Sequence, residues 1–181
     1  MSDILLLAEK VLSKISLIKE NEENWASYKD IFEARLQAFN LQTEEWLLGA
    51  VIGEIGFNTF DHNFSFSSFE KKGLYCDFEY DLNTILMFDF GCGIKKSLSK
   101  VKVDLKSNME ALKIAFTQII SGRAPEQRGN GLKFVLNSVV QNQWDMYFQS
   151  GDAYCLIDKS GYSFGSASQN YNGCFCILRR K

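Results

Sequence analysis

The stretch from Trp46 to Phe60 (WLLGAVIGEIGFNTF) is apolar on every side except for Glu54, Asn58 and Thr59. Carboxylates are almost never fully buried unless paired, and a buried amide must find several partners. At helical pitch Asn58 lies about 40° from Glu54, His62 about 80°, and Asp61 about 20° to the other side. A helix here therefore carries one stripe of Glu54, Asn58, Asp61 and His62. Such a stripe suits phosphoryl chemistry, because a carboxylate orients a nucleophile and an amide oxygen is a hard ligand for Mg²⁺. It also suits a structural polar network, or a helix end emerging into water.

A second group follows the apolar run 84–88 (TILMF), which leads into Asp89-Phe90-Gly91-Cys92-Gly93-Ile94. A carboxylate at the end of a buried strand is a local conflict of the kind found at sites. Two glycines let the backbone turn sharply and approach a ligand, and an acceptor-only carboxylate can select an exocyclic amino group. The plain alternative is an ordinary strand-to-loop turn. A third group is Arg128-Gly129-Asn130-Gly131-Leu132, which opens the apolar-periodic run LKFVLNSVV. Free N–H groups and the positive end of a helix dipole favour anions at such a start. The polar segment 121–127, with Arg123, precedes it and reads as a lid or as a solvated loop.

Taken in order, ExxxNxxDH on a helix, DxGxG after a strand and RGxGL opening a helix resemble the GHKL ATPase superfamily. Its members include gyrase-type topoisomerases, heat-shock chaperones, histidine kinases and mismatch-repair ATPases. The resemblance spans about residues 43–178, and the spacing of Glu54, Asn58 and His62 is most similar to the stand-alone anti-sigma-factor serine kinases. It implies a histidine-kinase-like ATPase fold that binds ATP with Mg²⁺. By the resemblance, Asn58 coordinates the Mg²⁺, Glu54 is the general base, and Asp61 and His62 lie near the phosphates. Asp89 accepts from the adenine amino group, with Gly91, Gly93 and Ile94 shaping the base pocket. Gly129, Gly131 and Leu132 border the triphosphate, with Arg123 and Arg128 on the lid. Many relatives carry Gly-Thr in the last strand, where the hydroxyl helps hold the base. Here the matching pair is Gly173-Cys174, and a thiol is a weaker hydrogen-bonding group. No GxxxxGK[ST] sequence occurs, so the chain is not a Walker P-loop protein. The only histidine is His62, which excludes a self-contained sensor kinase with a phosphoacceptor histidine.

These groups need elements to hold them. Apolar periodicity predicts helices over 3–19, 24–39, 43–61 (with Thr43 as N-cap), 107–120 and 132–142. Alternation puts Leu74, Cys76, Phe78 and Tyr80 on one face of a strand. The run 84–88 reads as a strand covered on both faces. Further strands are expected at 144–149, 153–158, 162–165 and 174–179, with a turn at Ser150-Gly151-Asp152. The expected class is α+β: a two-layer α/β sandwich whose mixed, mostly antiparallel sheet carries helices on one face. One ATP-binding domain is expected over 1–181. Residues 1–40 form an N-terminal helical extension, packed on the domain or used for homodimer or partner contact. Phe64, Phe66 and Phe69 alternate with polar residues as a core or edge stripe.

Composition narrows the class of function. With 20 basic and 22 acidic side chains in 181 residues the net charge is −2, which argues against nucleic acid as the main partner. No apolar run reaches the roughly 18 residues that span a bilayer, and the first residues lack a basic leader. A cytoplasmic protein without membrane partners is expected, acting on a partner protein. Cys76, Cys92, Cys155, Cys174 and Cys176 are scattered without a CxxC pair and read as reduced, buried thiols. Two functions follow from the resemblance: an Mg²⁺-dependent ATPase or protein serine/threonine kinase, or a nucleotide-gated binding regulator with little or no catalysis.

Overall fold

The computed structural model describes residues 2–15, 23–63, 73–81, 83–100, 104–118 and 130–181. It is an α+β sandwich built on one five-stranded sheet. The strands are β1 (Trp25–Ala26), β2 (Leu74–Asp81), β3 (Thr84–Phe88), β4 (Asp145–Asp158) and β5 (Gly161–Arg179). Their spatial order is β1-β2-β3-β5-β4, and every neighbouring pair is antiparallel. The parallel component of the expected mixed sheet is absent among the described residues.

The helices are α1 (Asp3–Leu12), α2 (Lys29–Thr43), α3 (Trp46–Asn58), α4 (Gly93–Leu98), α5 (Asn108–Thr117) and α6 (Gly131–Gln141). On one face of the sheet, Phe32, Leu36 and Phe39 of α2, Leu48, Val51, Ile52 and Ile55 of α3, Phe116 of α5 and Val135 of α6 share a core. The sheet meets them there with Ile85, Met87, Phe148, Cys176 and Leu178. On the other face α1 lays Ile4, Ala8, Val11 and Leu12 onto Tyr75, Leu86, Phe88, Tyr147 and Phe175. The helical layer is thus joined by one helix on the opposite face. This accounts for β3, whose five residues are all buried and whose Ile85, Leu86, Met87 and Phe88 alternate between the two cores.

Several expected boundaries change. Residues 24–28 are not helical, because Trp25 and Ala26 pair with Tyr75 and Leu74 as an edge strand. Trp25 also stacks on Phe90 at 6.2 Å, an attachment that outweighs the weak helical pattern. Thr43 does not cap α3; it ends α2, and its hydroxyl donates to the Phe39 carbonyl. Residues 13–15 leave the first helix, and 16–19 lie outside the described residues, as do Phe64, Phe66 and Phe69. Ser150-Gly151-Asp152 is a bulge inside a continuous β4 rather than a turn between strands. The bulge shifts side-chain parity, so Met146 and Phe148 before it face the same core as Ala153, Cys155 and Ile157 after it. The strands expected at 162–165 and 174–179 are likewise the two ends of one β5.

Candidate functional site

Asp89 directly follows β3 and is 1% exposed. Burying a carboxylate without partners is costly, and the chain supplies them from three directions. Oδ1 accepts from the Gly91 N–H at 2.7 Å and from the Cys174 N–H at 3.3 Å, and Oδ2 accepts from the Thr59 hydroxyl at 3.0 Å. The backbone is clamped as well: the Asp89 N–H donates to the Cys174 carbonyl at 2.9 Å, and the Tyr171 hydroxyl donates to the Asp89 carbonyl at 3.0 Å. Burial pushes the Asp89 carboxyl up to about 7, against the opposing pull of the Gly91 N–H, the Thr59 hydroxyl and the Cys174 N–H. Desolvation, reinforced by the nearby Asp89 charge, also raises the Cys174 and Tyr171 side chains well above their ordinary values.

The glycines beside Asp89 have distinct jobs. Gly93 sits at φ +74°, a conformation that suits glycine, and its open side faces the Ser150 hydroxyl. That hydroxyl accepts from the Ile94 N–H at 2.9 Å and donates to the Gly173 carbonyl at 3.0 Å, tying the start of α4 to β4 and β5. Gly173 itself has φ +117°, and a Cβ there would collide with the Asp89 carbonyl. Against Asp89 lies a cavity of about 10 Å³, lined also by Ile55, Thr59, Met87, Phe148 and Cys174. This is room for about one water, so a purine ring enters only if the bounding residues move outward.

The helical group divides. Glu54 is exposed on α3, and a Cβ on Gly131 would run into its Oε2, so this carboxylate lies against the N-terminus of α6. The first N–H groups of a helix have no partner within it, and with the positive end of the dipole they make a favourable seat for a carboxylate or a phosphate. Asn58 is partly exposed at the last turn of α3, and Leu132 is buried in α6. Asp61 and His62 lie beyond α3 in the π-helical turn Thr59–Asn63, whose winding is wider than that of an α-helix. Both side chains are exposed, and the Asp61 carboxylate accepts from Lys29 Nζ at 2.7 Å.

The structure thus gathers Asp89, Gly91, Gly93 and Ile94 just after β3 beside Cys174 of β5, and Glu54 with Gly131 at the start of α6. Arg123, Arg128 and Gly129 lie outside the described residues. Among the described residues no cluster of three His, Cys, Asp or Glu side chains could hold a metal by itself. All five cysteines are free thiols. Three residues escaped sequence reasoning: Thr59, Ser150 and Tyr171, whose hydroxyls build the Asp89 setting. Only Thr59 carried a signal, as a polar residue on an apolar helix. No protein-family model matches the chain, and no curated protein matches its sequence.

Proposed function

We propose that this protein binds ATP with Mg²⁺ in the manner of the histidine-kinase-like ATPases, and hydrolyses it or transfers its terminal phosphoryl group to Ser or Thr of a partner protein. The observation that carries the reading is Asp89, a buried carboxylate held by two N–H groups and a hydroxyl at the end of an otherwise apolar strand. An ionised carboxylate in that setting accepts hydrogen bonds only, which fits the exocyclic amino group of adenine. Glu54 at the α6 N-terminus is the candidate base for the attacking hydroxyl or water. The donor set for a metal is compatible with Mg²⁺, which is held by few protein ligands together with phosphate oxygens. Asn58 would supply an amide oxygen, and the bound ion would neutralise phosphate charge. The residues of the chain position the base, the nucleophile and the phosphates, which is most of what phosphoryl transfer asks of a protein.

Thermal unfolding with Mg·ATP, Mg·ADP and Mg·GTP tests the reading directly. Ligand at 100 times its dissociation constant adds about 2.7 kcal/mol, roughly 5–10 °C for a chain of this size. An adenine-selective rise that disappears in Asp89→Ala supports the proposal, and no rise with any nucleotide at millimolar concentration overturns it. Incubation with labelled ATP and a candidate partner then separates catalysis from binding. Glu54→Ala is expected to lower transfer roughly 10²- to 10⁴-fold. One observation favours the second reading, a nucleotide-gated regulator. The cavity at Asp89 is water-sized, so base entry must displace neighbouring segments, and a bound partner can sense that displacement.

A further inference from the structure

We infer that Thr59 is the positioning residue for Asp89, its hydroxyl fixing the direction in which the carboxylate faces the cavity; the use to which Asp89 is put rests on the nucleotide reading above. Oδ1 of Asp89 is set by two backbone donors, Gly91 and Cys174, whereas Oδ2 receives the Thr59 hydroxyl at 3.0 Å. The carboxylate plane therefore depends on a side chain from another element, thirty residues earlier in the chain. Threonines at helix ends ordinarily return their hydroxyl to the carbonyl four residues back. Thr43 does so to Phe39 at 2.9 Å, and Thr117 does so to Lys113 at 2.5 Å. Thr59, at the end of α3, donates to Asp89 instead, and it is 4% exposed.

The placement follows from the helix. Ile55 and Thr59 are one turn apart on the buried side of α3, and both line the cavity with Asp89. The π-turn starts at Thr59, so the residue that holds the base-reading group directly follows Asn58, the residue assigned to the metal. A hydroxyl that donates its single proton to Asp89 retains only lone pairs for the cavity. Thr59 and ionised Asp89 together then present acceptors alone. That arrangement favours an amino group at the recognised edge of a base and disfavours a carbonyl. The hydroxyl also gives Asp89 a donor that does not depend on the Cys174 thiol.

The test uses Thr59→Val, which keeps the shape and removes the hydroxyl, with Thr59→Ser as the conservative rescue. The first readout needs no nucleotide: the ¹³C carboxyl resonance of Asp89 is followed through its pH titration. Removing a donor to the ionised form moves the midpoint upward in Thr59→Val, and Thr59→Ser restores it. The second is the adenosine and guanosine dissociation constant at pH 8. Thr59→Val is expected to weaken adenosine binding roughly tenfold, the factor carried by one hydrogen bond to a charged group, and to narrow selectivity against guanosine. An unchanged Asp89 midpoint in Thr59→Val overturns the inference. A shifted and rescued midpoint with no binding of either nucleoside upholds Thr59 as the positioning residue and overturns the nucleotide reading instead. If Thr59→Val does not fold, the same titration on Thr59→Ala and Thr59→Ser decides: a midpoint that differs between them supports the inference, and one that does not overturns it.

Discussion

Asp89 is held so that its charge state is divided near neutrality, and this has consequences in both the free and the bound protein. Its folded value of about 7 lies above the ordinary 3.8. The group therefore opposes folding increasingly as pH rises from about 4 to about 7, since the unfolded chain releases the proton first. We predict that the urea midpoint of the wild type falls across this window relative to Asp89→Asn, in which the slope is lost. Binding runs the opposite way. The ionised carboxylate is the stronger acceptor for an amino group, so adenosine, whose base does not titrate in this range, should bind more tightly at pH 8 than at pH 6. Isothermal titration of wild type and Asp89→Asn checks this, and a flat profile in the wild type contradicts it. Gly173→Ala makes a separate point. The substitution imposes a Cβ on φ +117° and drives it into the Asp89 carbonyl, a cost on the order of 2–4 kcal/mol read from denaturant unfolding. Asp89 was legible in the sequence because a carboxylate after four apolar residues conflicts with its surroundings. Its partners were not, since Thr59 and Tyr171 come from distant parts of the chain and only the fold brings them to it.

The elements explain where periodicity succeeded and where it misled. The cores of α3, α5 and α6 follow their apolar spacing within one to three residues of the expected ends. Local chemistry was ambiguous at Ser150-Gly151-Asp152, because the same small residues that make a turn also make a bulge, and only the long partner strand β5 selects between them. Helix α1 was legible as a helix, but its place was not. A sheet whose central strand is buried on both faces requires a cover on each, and α1 is that cover. We therefore predict that Ala8→Asp, which puts a charge at a fully buried position of α1, costs on the order of 3 kcal/mol or more. Glu9→Gln, on the exposed side of the same helix, should stay within about 0.5 kcal/mol. Equal effects in the two variants would mean that α1 does not cover the sheet.

Across the described residues, the sheet divides the interior into two apolar clusters, and Asp89 directly follows the central strand β3, which like its neighbours contributes to both. No helix among the described residues is long and apolar enough to cross a membrane. The order of the strands also fixes an order in time. Strands β4 and β5 are joined by two residues and pair along most of their length, so this hairpin closes locally and quickly. The pairing of β3 with β5 joins opposite halves of the chain and must await a much larger loop closure. Phe88 and Asp89 are therefore expected to dock late on the folding route. We predict that Met87→Ala, a loss of about 2–5 kcal/mol, speeds unfolding and leaves the refolding rate nearly unchanged. For the same reason a nucleotide that binds through Asp89 cannot guide the chain to its native state. Such a ligand would arrive after the rate-limiting step and act as a brake on unfolding alone.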